Sequence, residues 1–168
     1  GELAVVQGLG YPSQNRSHFK SIALWETGGD GNRDGGDGWL TEDIAAMGYE
    51  SVDAHGISLD GGMGVFASST GLWISLTSLA DVQTLSATNA NYQNAVGAAD
   101  NPALSMLVDR ANSFDTAMSH IAAKIERLPN RSFRINARDL GRQASLAAQL
   151  IVAGVNAPVL KLKFSGSP

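Results

Sequence analysis

Four residues in a glycine-rich stretch have the types and spacing of the start of a calcium-binding loop. Asp30, Asn32, Asp34 and Gly35 read D-x-N-x-D-G, which matches positions 1, 3, 5 and 6 of an EF-hand loop. Position 12 of such a loop is a bidentate Glu, whereas here it is Thr41. A solvated surface loop is the alternative, because Gly and Asp are common in turns for conformational reasons alone. The sequence therefore leaves a calcium site and a polar loop as competing hypotheses.

A second group of residues has the types needed to bind an anion. Arg16, Ser17 and His18 are consecutive and precede an apolar segment with helical spacing, so Ser17 is predicted to be a helix N-cap. Backbone N–H groups at a helix start bind anions, and a serine there can attack a bound phosphate or sulfate ester. The alternative is that Ser17 only caps the helix, because an adjacent Ser and His do not by themselves form a nucleophile–base pair.

The composition narrows the class of protein. A length of 168 residues is enough for one compact domain, and a hydrophobic content of 43% argues against disorder. The net charge of −4 argues against nucleic-acid binding. No apolar run approaches the ~20 residues that a membrane span needs. The absence of cysteine excludes thiol nucleophiles, zinc–thiolate sites and disulfides.

Hydrophobic periodicity predicts the elements that would position these residues. An apolar run at residues 3–6 predicts a strand buried on both faces. Residues 56–77 read as short strands or hairpin pieces, and residues 158–164 alternate as a strand directly after a helix, which is half of a βαβ unit. The predicted helices span residues 18–27, 39–48, 102–128 and 139–153. We therefore expect residues 1–168 to form a single partial α/β domain with a glycine-rich loop insertion near 28–38.

Several of these segments resemble a family of bacterial proteins. The motifs that carry the resemblance are L-A-V-V at 3–6, G-x-G-Y-P at 8–12, S-H-F at 17–19, W-x-T-G at 25–28 and G-W-L at 38–40. The chain is similar in these motifs, and over Leu140–Gly166, to domain-of-unknown-function family 1501. Members of that family look like distant relatives of the alkaline phosphatase and sulfatase superfamily. The resemblance covers nearly the whole chain.

The resemblance implies a fold, a chemistry and a location. The fold would be a three-layer α/β/α sandwich of alkaline phosphatase/sulfatase type, incomplete in this chain. The activity would be hydrolysis of phosphate or sulfate esters with two divalent metal ions, with zinc, calcium and magnesium as candidates. Ser17 would match the nucleophile and metal ligand, with His18 beside it and Arg16 as a substrate contact. Such proteins are typically exported to the periplasm, often by a twin-arginine signal.

The sequence also departs from the family pattern. The G-x-D-T-H, S-E-F-G-R and T-D-H segments that would hold most metal ligands are absent from residues 1–168. We therefore expect the chain to be an internal fragment of a longer hydrolase. Two alternatives stay open, namely a noncatalytic export or surface-assembly protein that retains the fold, and a calcium-stabilised binding module. The sequence does not indicate an oligomeric state.

Overall fold

The computed structural model of this chain describes residues 5, 7–14, 16–30, 36–48, 51–88, 101–128, 135 and 138–164. The protein forms two compact units. Unit 1 comprises Gly1–Gly48 and Gly64–Gly71, and unit 2 comprises Tyr49–Met63 and Leu72–Pro168. Two such units can belong to one domain or to two, so the single-domain expectation stays a prediction.

The described part of unit 1 is built around two helices and a 3-10 turn. Helices α1 (His18–Thr27) and α2 (Trp39–Ala46) both contact a 3-10 helix at Gly64–Phe66. Their buried apolar side chains are Leu24, Ile44 and Phe66. In α1, Leu24 is buried while Phe19 is 87% exposed.

The close approach of α2 to the 3-10 helix requires a glycine. Gly38 precedes α2, and its N–H donates to the carbonyl of Ala67 at 2.6 Å. A Cβ added to Gly38 would lie 2.1 Å from the carbonyl oxygen of Val65, far inside van der Waals contact. The Thr41 hydroxyl also donates to the Gly38 carbonyl, at 2.7 Å. The glycine of the G-W-L motif is therefore needed because backbone passes directly over backbone.

Unit 2 contains a small parallel sheet. Its strands are β1 (Gly56–Ser58), β2 (Trp73–Ser75) and β3 (Val159–Lys161), in the order β2-β1-β3. The central residue Ile57 pairs with Ile74 on one side and Leu160 on the other. All three residues of β1 are buried, as is typical of the middle strand of a parallel sheet.

Three helices among the described residues of unit 2 share one hydrophobic core with the sheet. They are α3 (Leu79–Thr88), α4 (Pro102–Glu126) and α5 (Arg138–Val152). Each contributes buried side chains, among them Val82 of α3, Met118 of α4 and Leu150 of α5, which join Ile57 and Ile74 of the sheet. The N-terminal turns of α4 are exposed, so only its C-terminal half belongs to this core.

The structure confirms the mixed α/β class with a parallel sheet, and the finer three-layer arrangement stays a proposal. Helices α1, α2, α4 and α5 and strand β3 lie where the sequence predicts them.

The hairpin alternative for residues 56–77 is wrong, because β1 and β2 are parallel and residues 64–66 form a 3-10 helix. The predicted buried strand at residues 3–6 is wrong for Val5, which is 71% exposed and outside any strand, while residues 3, 4 and 6 lie outside the described ranges. Within those ranges, no helix combines the length and the apolar character needed to cross a membrane.

Candidate functional site

Ser17 is the N-cap of α1, as predicted. It has extended backbone angles (φ −90°, ψ 114°), and its Oγ accepts a hydrogen bond from the N–H of Lys20 at 3.3 Å. Its carbonyl accepts from both the N–H and the hydroxyl of Ser21, each at 3.0 Å. The Ser21 hydroxyl in turn lies 2.7 Å from the Tyr11 hydroxyl, so the start of α1 is tied to the preceding loop. Ser17 is thus held at a defined position by its main chain while its side chain stays at the surface.

The neighbours of Ser17 leave the start of α1 open to solvent. Arg16, Ser17 and His18 are all exposed. No acidic residue lies in the first turn of α1, so the partial positive charge of the helix start is not offset by a carboxylate of that turn. This arrangement is suited to an incoming anion. Arg16, Ser17 and His18 are adjacent because they are consecutive in the chain, and the roles that the resemblance gives them stay predictions.

Only part of the candidate calcium loop can be placed. Asp30 is exposed, and its carbonyl accepts from the N–H of Ser13 at 3.4 Å. Asn32 and Asp34 lie outside the described residues. The carboxylate of Asp37 accepts from the Ser68 hydroxyl at 2.6 Å and from the backbone of the following residue at 3.3 Å. Thr41, at position 12 of the calcium pattern, is buried in α2 with its hydroxyl bonded to Gly38.

A metal site needs several acidic or imidazole side chains close together. Among the residues that the structure describes, no group of three or more His, Asp or Glu side chains is arranged to hold a metal ion. His18 and Asp30 therefore belong to no such group among the described residues, and the assignment of Ser17, Asp30, Asn32 and Asp34 as metal ligands stays a prediction. The divalent metals implied by the resemblance stay a proposal, and their remaining ligands would come from other parts of the protein.

A buried ion pair joins the carboxyl ends of β1 and β3, and sequence reasoning missed it. Asp60 follows β1 and its Oδ1 lies 3.2 Å from Nζ of Lys161, the last residue of β3. The same carboxylate accepts from the Ser58 hydroxyl at 2.5 Å and the Gly62 N–H at 3.2 Å. Burial acts to raise the pKa of Asp60, but these hydrogen bonds and the Lys161 charge outweigh it, and the pKa is lowered. The only sequence signal was an Asp-Gly-Gly turn directly after an apolar strand.

A second carboxylate accepts several hydrogen bonds from two residues of the turn between β2 and α3. Asp81 accepts from the backbone N–H groups of Thr77 and Ser78, at 2.6 and 2.9 Å, and from both of their hydroxyls. Burial acts to raise the pKa of Asp81, but these hydrogen bonds outweigh that effect, and the pKa is lowered. Ser78 and Asp81 form a capping box that starts α3. The S-x-x-D spacing of this pair would have predicted α3, which the periodicity alone did not.

One carboxylate in unit 2 is in an unfavourable position. Asp115, on α4, has a buried Oδ1 that accepts no hydrogen bond from the part of the chain that the structure describes. Burial raises the pKa of Asp115.

The comparisons with known proteins identify no relative. No protein-family model matches the chain, and no significant match is found among curated proteins or solved structures. The resemblance to family 1501 therefore rests on the motifs quoted above.

Proposed function

We propose that the chain is part of an exported, sulfatase-like hydrolase that cleaves phosphate or sulfate esters, with Ser17 as the nucleophile. The observation that carries the proposal is the position of Ser17. It stands at the solvent-exposed start of a ten-residue helix, between Arg16 and His18. A nucleophile at a helix start has unsatisfied backbone N–H groups beside it, which favour an anionic substrate.

The chemistry assigned to these residues follows from their types. The Arg16 guanidinium, a planar group with several N–H donors, binds two oxygens of a phosphoryl or sulfuryl group, and His18 adds a further donor. The Ser17 oxygen forms a bond to phosphorus or sulfur, and the bond to the alcohol oxygen breaks. The alcohol takes a proton as it leaves, and water then hydrolyses the serine ester to regenerate the hydroxyl. Bound divalent metals would supply positive charge that favours the serine alkoxide, with most ligands outside the described residues.

Three substitutions at Ser17 distinguish its proposed role as the nucleophile from its role as the N-cap of α1. Asn caps a helix about as well as Ser but has no hydroxyl, Thr keeps both features, and Ala loses both. We expect Ser17→Asn to fold normally and to lose aryl phosphate or aryl sulfate hydrolysis by about 10³-fold or more. Ser17→Thr should retain part of the activity. The control is Ser21→Ala, which removes a neighbouring hydroxyl on the same helix.

The assay uses the full-length protein with zinc, magnesium or calcium, and it measures release of the phenol. Equal turnover by Ser17→Asn and the unmodified protein would remove the nucleophile assignment. No turnover with any metal, in a protein that is folded by circular dichroism, would favour the noncatalytic alternative.

A further inference from the structure

A surface cavity of unit 2 has a lining that no function above uses. Its volume is about 400 Å³, within the range of about 300–1,000 Å³ that is typical of small-molecule sites. Helix α4 supplies most of the polar lining, and the segments before β1 and β2 supply the rest. The lining residues used below are Asp53, Leu72, Asn112, Ser113, Thr116 and His120.

A buried carboxylate with one unused oxygen lies in this cavity. Asp53 is only 9% exposed. Its Oδ2 accepts from the Asn156 N–H at 2.7 Å and forms an ion pair with Lys124. Its Oδ1 accepts no hydrogen bond from any residue that the structure describes. This oxygen is reached by solvent from the cavity, so a ligand hydroxyl that donates to it would take the place of water.

The hydroxyls of the cavity are oriented as acceptors. Ser113 donates its hydroxyl hydrogen to the carbonyl of Asp109, and Thr116 donates to the carbonyl of Asn112, both at 2.9 Å. While these two bonds are kept, each hydroxyl offers its oxygen to a ligand only as an acceptor. Asn112, Thr116 and His120 are four residues apart, which places them on one face of the helix. The cavity therefore presents a row of acceptors, with an amide and an imidazole that can also donate.

The charges decide the class of ligand. An anion would meet a carboxylate and two acceptor-only hydroxyls, which disfavours it. A cation would meet a carboxylate whose charge is already matched by Lys124, so it would gain little. A neutral ligand with several hydroxyl groups satisfies the Asp53 oxygen and both hydroxyls, and its own oxygens can accept from Asn112 or His120. Its carbon skeleton would contact Leu72.

We propose that this cavity binds a small neutral polyhydroxylated molecule of about the size of a monosaccharide. The proposal rests on unit 2 alone and does not depend on any role of Ser17. It assigns Asp53, Ser113 and Thr116 as hydrogen-bond acceptors for ligand hydroxyl groups. Asn112 and His120 complete the polar contacts.

The test is a titration of the full-length protein with myo-inositol, followed by amide chemical shifts and by calorimetry. We expect saturable binding that shifts the amide signals of residues 52–53 and 112–120. Thr116→Val keeps the shape but removes one acceptor, and it should weaken binding about five-fold. Ser113→Leu should fill the cavity and abolish binding. Ser119→Ala, an exposed hydroxyl on the same helix outside the cavity lining, should bind as the unmodified protein does.

Two comparison probes define the ligand class. n-Butylammonium and inorganic phosphate should each bind more weakly than myo-inositol at the same residues. Tighter binding of either probe would overturn the assignment of a neutral ligand. Absence of saturable shifts with myo-inositol, or identical affinity in Thr116→Val, would overturn the site itself. The thermal unfolding of each variant is measured alongside, so that a folding defect is recognised.

Discussion

The carboxylate of Asp60 and the ammonium group of Lys161 meet at 3.2 Å across the carboxyl ends of β1 and β3. Their side chains are only 6% and 16% exposed. Lys161 also donates to the carbonyl of Gly62 at 2.9 Å, so it holds both the carboxylate and the turn that follows β1. In a parallel sheet of order β2-β1-β3, this is the edge formed by the carboxyl ends of the strands, where ligands of open α/β sheets are commonly bound. The ion pair therefore links the ends of β1 and β3 at that edge of the sheet.

Breaking this pair should be costly. We expect Asp60→Asn to lower the free energy of unfolding by about 3 kcal/mol, because it leaves a largely buried ammonium without its counter-charge. The matched control is Asp139→Asn, which removes an exposed ion pair with Arg142 and should cost less than about 0.5 kcal/mol. Urea unfolding of both variants measures the difference. Similar losses in the two variants would contradict the structural importance of the buried pair.

Acid should weaken unit 2 through two carboxylates. The pKa values of Asp60 and Asp81 are lowered below the ordinary value of 3.8. A carboxyl whose pKa is lower in the folded state than in the unfolded state stabilises the fold at pH values above the ordinary pKa. This stabilisation is lost as the pH falls through the lowered pKa. We expect the double variant Asp60→Asn/Asp81→Asn to lose less stability than the unmodified protein between about pH 5 and about pH 2. Parallel pH profiles would contradict this prediction.

Gly38 should tolerate no side chain. Gly38→Ala would place a Cβ against the carbonyl of Val65, and backbone cannot move aside cheaply, so we expect a loss of about 3 kcal/mol. Gly36→Ala is the control, because a Cβ there has no atom within 4 Å. Hydrogen exchange of amides in α1 and α2 should accelerate in the Gly38 variant only. Equal protection in both variants would show that α2 can shift away from the 3-10 helix.

Asp115→Asn should stabilise the protein at neutral pH. Burial raises the pKa of Asp115, so its proton is held more tightly in the folded state. For such a carboxyl, stability is lost as pH rises from the ordinary pKa through the raised one. The gain from Asp115→Asn should therefore be larger near pH 7 than near pH 3, as measured by melting temperature. Asp109→Asn, at an exposed position of the same helix, should show no such difference.

The loop at residues 30–37 should not bind calcium, so any effect of calcium on the melting temperature should be the same in the unmodified protein and in Asp30→Asn. The carboxylate of Asp37 is engaged by Ser68, and Thr41 at position 12 is buried within α2. An ion bound to this loop would raise the melting temperature by an amount that grows with the logarithm of its concentration above Kd, and EDTA would reverse the effect. Calorimetric scans with EDTA and with excess calcium measure this. A calcium-dependent rise that is lost in Asp30→Asn would revive the calcium-stabilised module.

Local patterns predicted much of the secondary structure. Ser17 and Asn101 cap their helices because their side-chain oxygens accept from backbone N–H groups, and Gly28 ends α1 in a left-handed conformation. Gly154 likewise adopts a positive φ after α5. Each of these signals acts over a few residues, which is why the sequence alone reveals it.

The same patterns could not reveal which distant residues meet. Asp60 and Lys161 are 101 positions apart, and nothing local to either residue indicates the other. The acceptor oxygen of Asp53 is likewise defined by Lys124 and Asn156, which lie far along the chain. The apolar spacing of α1 predicted a helix but not that Leu24 is buried and Phe19 exposed, because burial depends on what the rest of the chain places beside a helix. Of the candidate site, the sequence supplied Ser17 and its neighbours, while the cavity of unit 2 required the fold.

The strand order β2-β1-β3 also governs how the protein is made. β1 and β2 are close in the chain, but β1 acquires its second neighbour only when β3 arrives about a hundred residues later. During synthesis β1 therefore has one unpaired edge until β3 has been translated, and that edge can pair with other chains. Pairings of such large sequence separation slow folding. We expect the interval between translation of β1 and of β3 to be the period in which this protein most needs a chaperone.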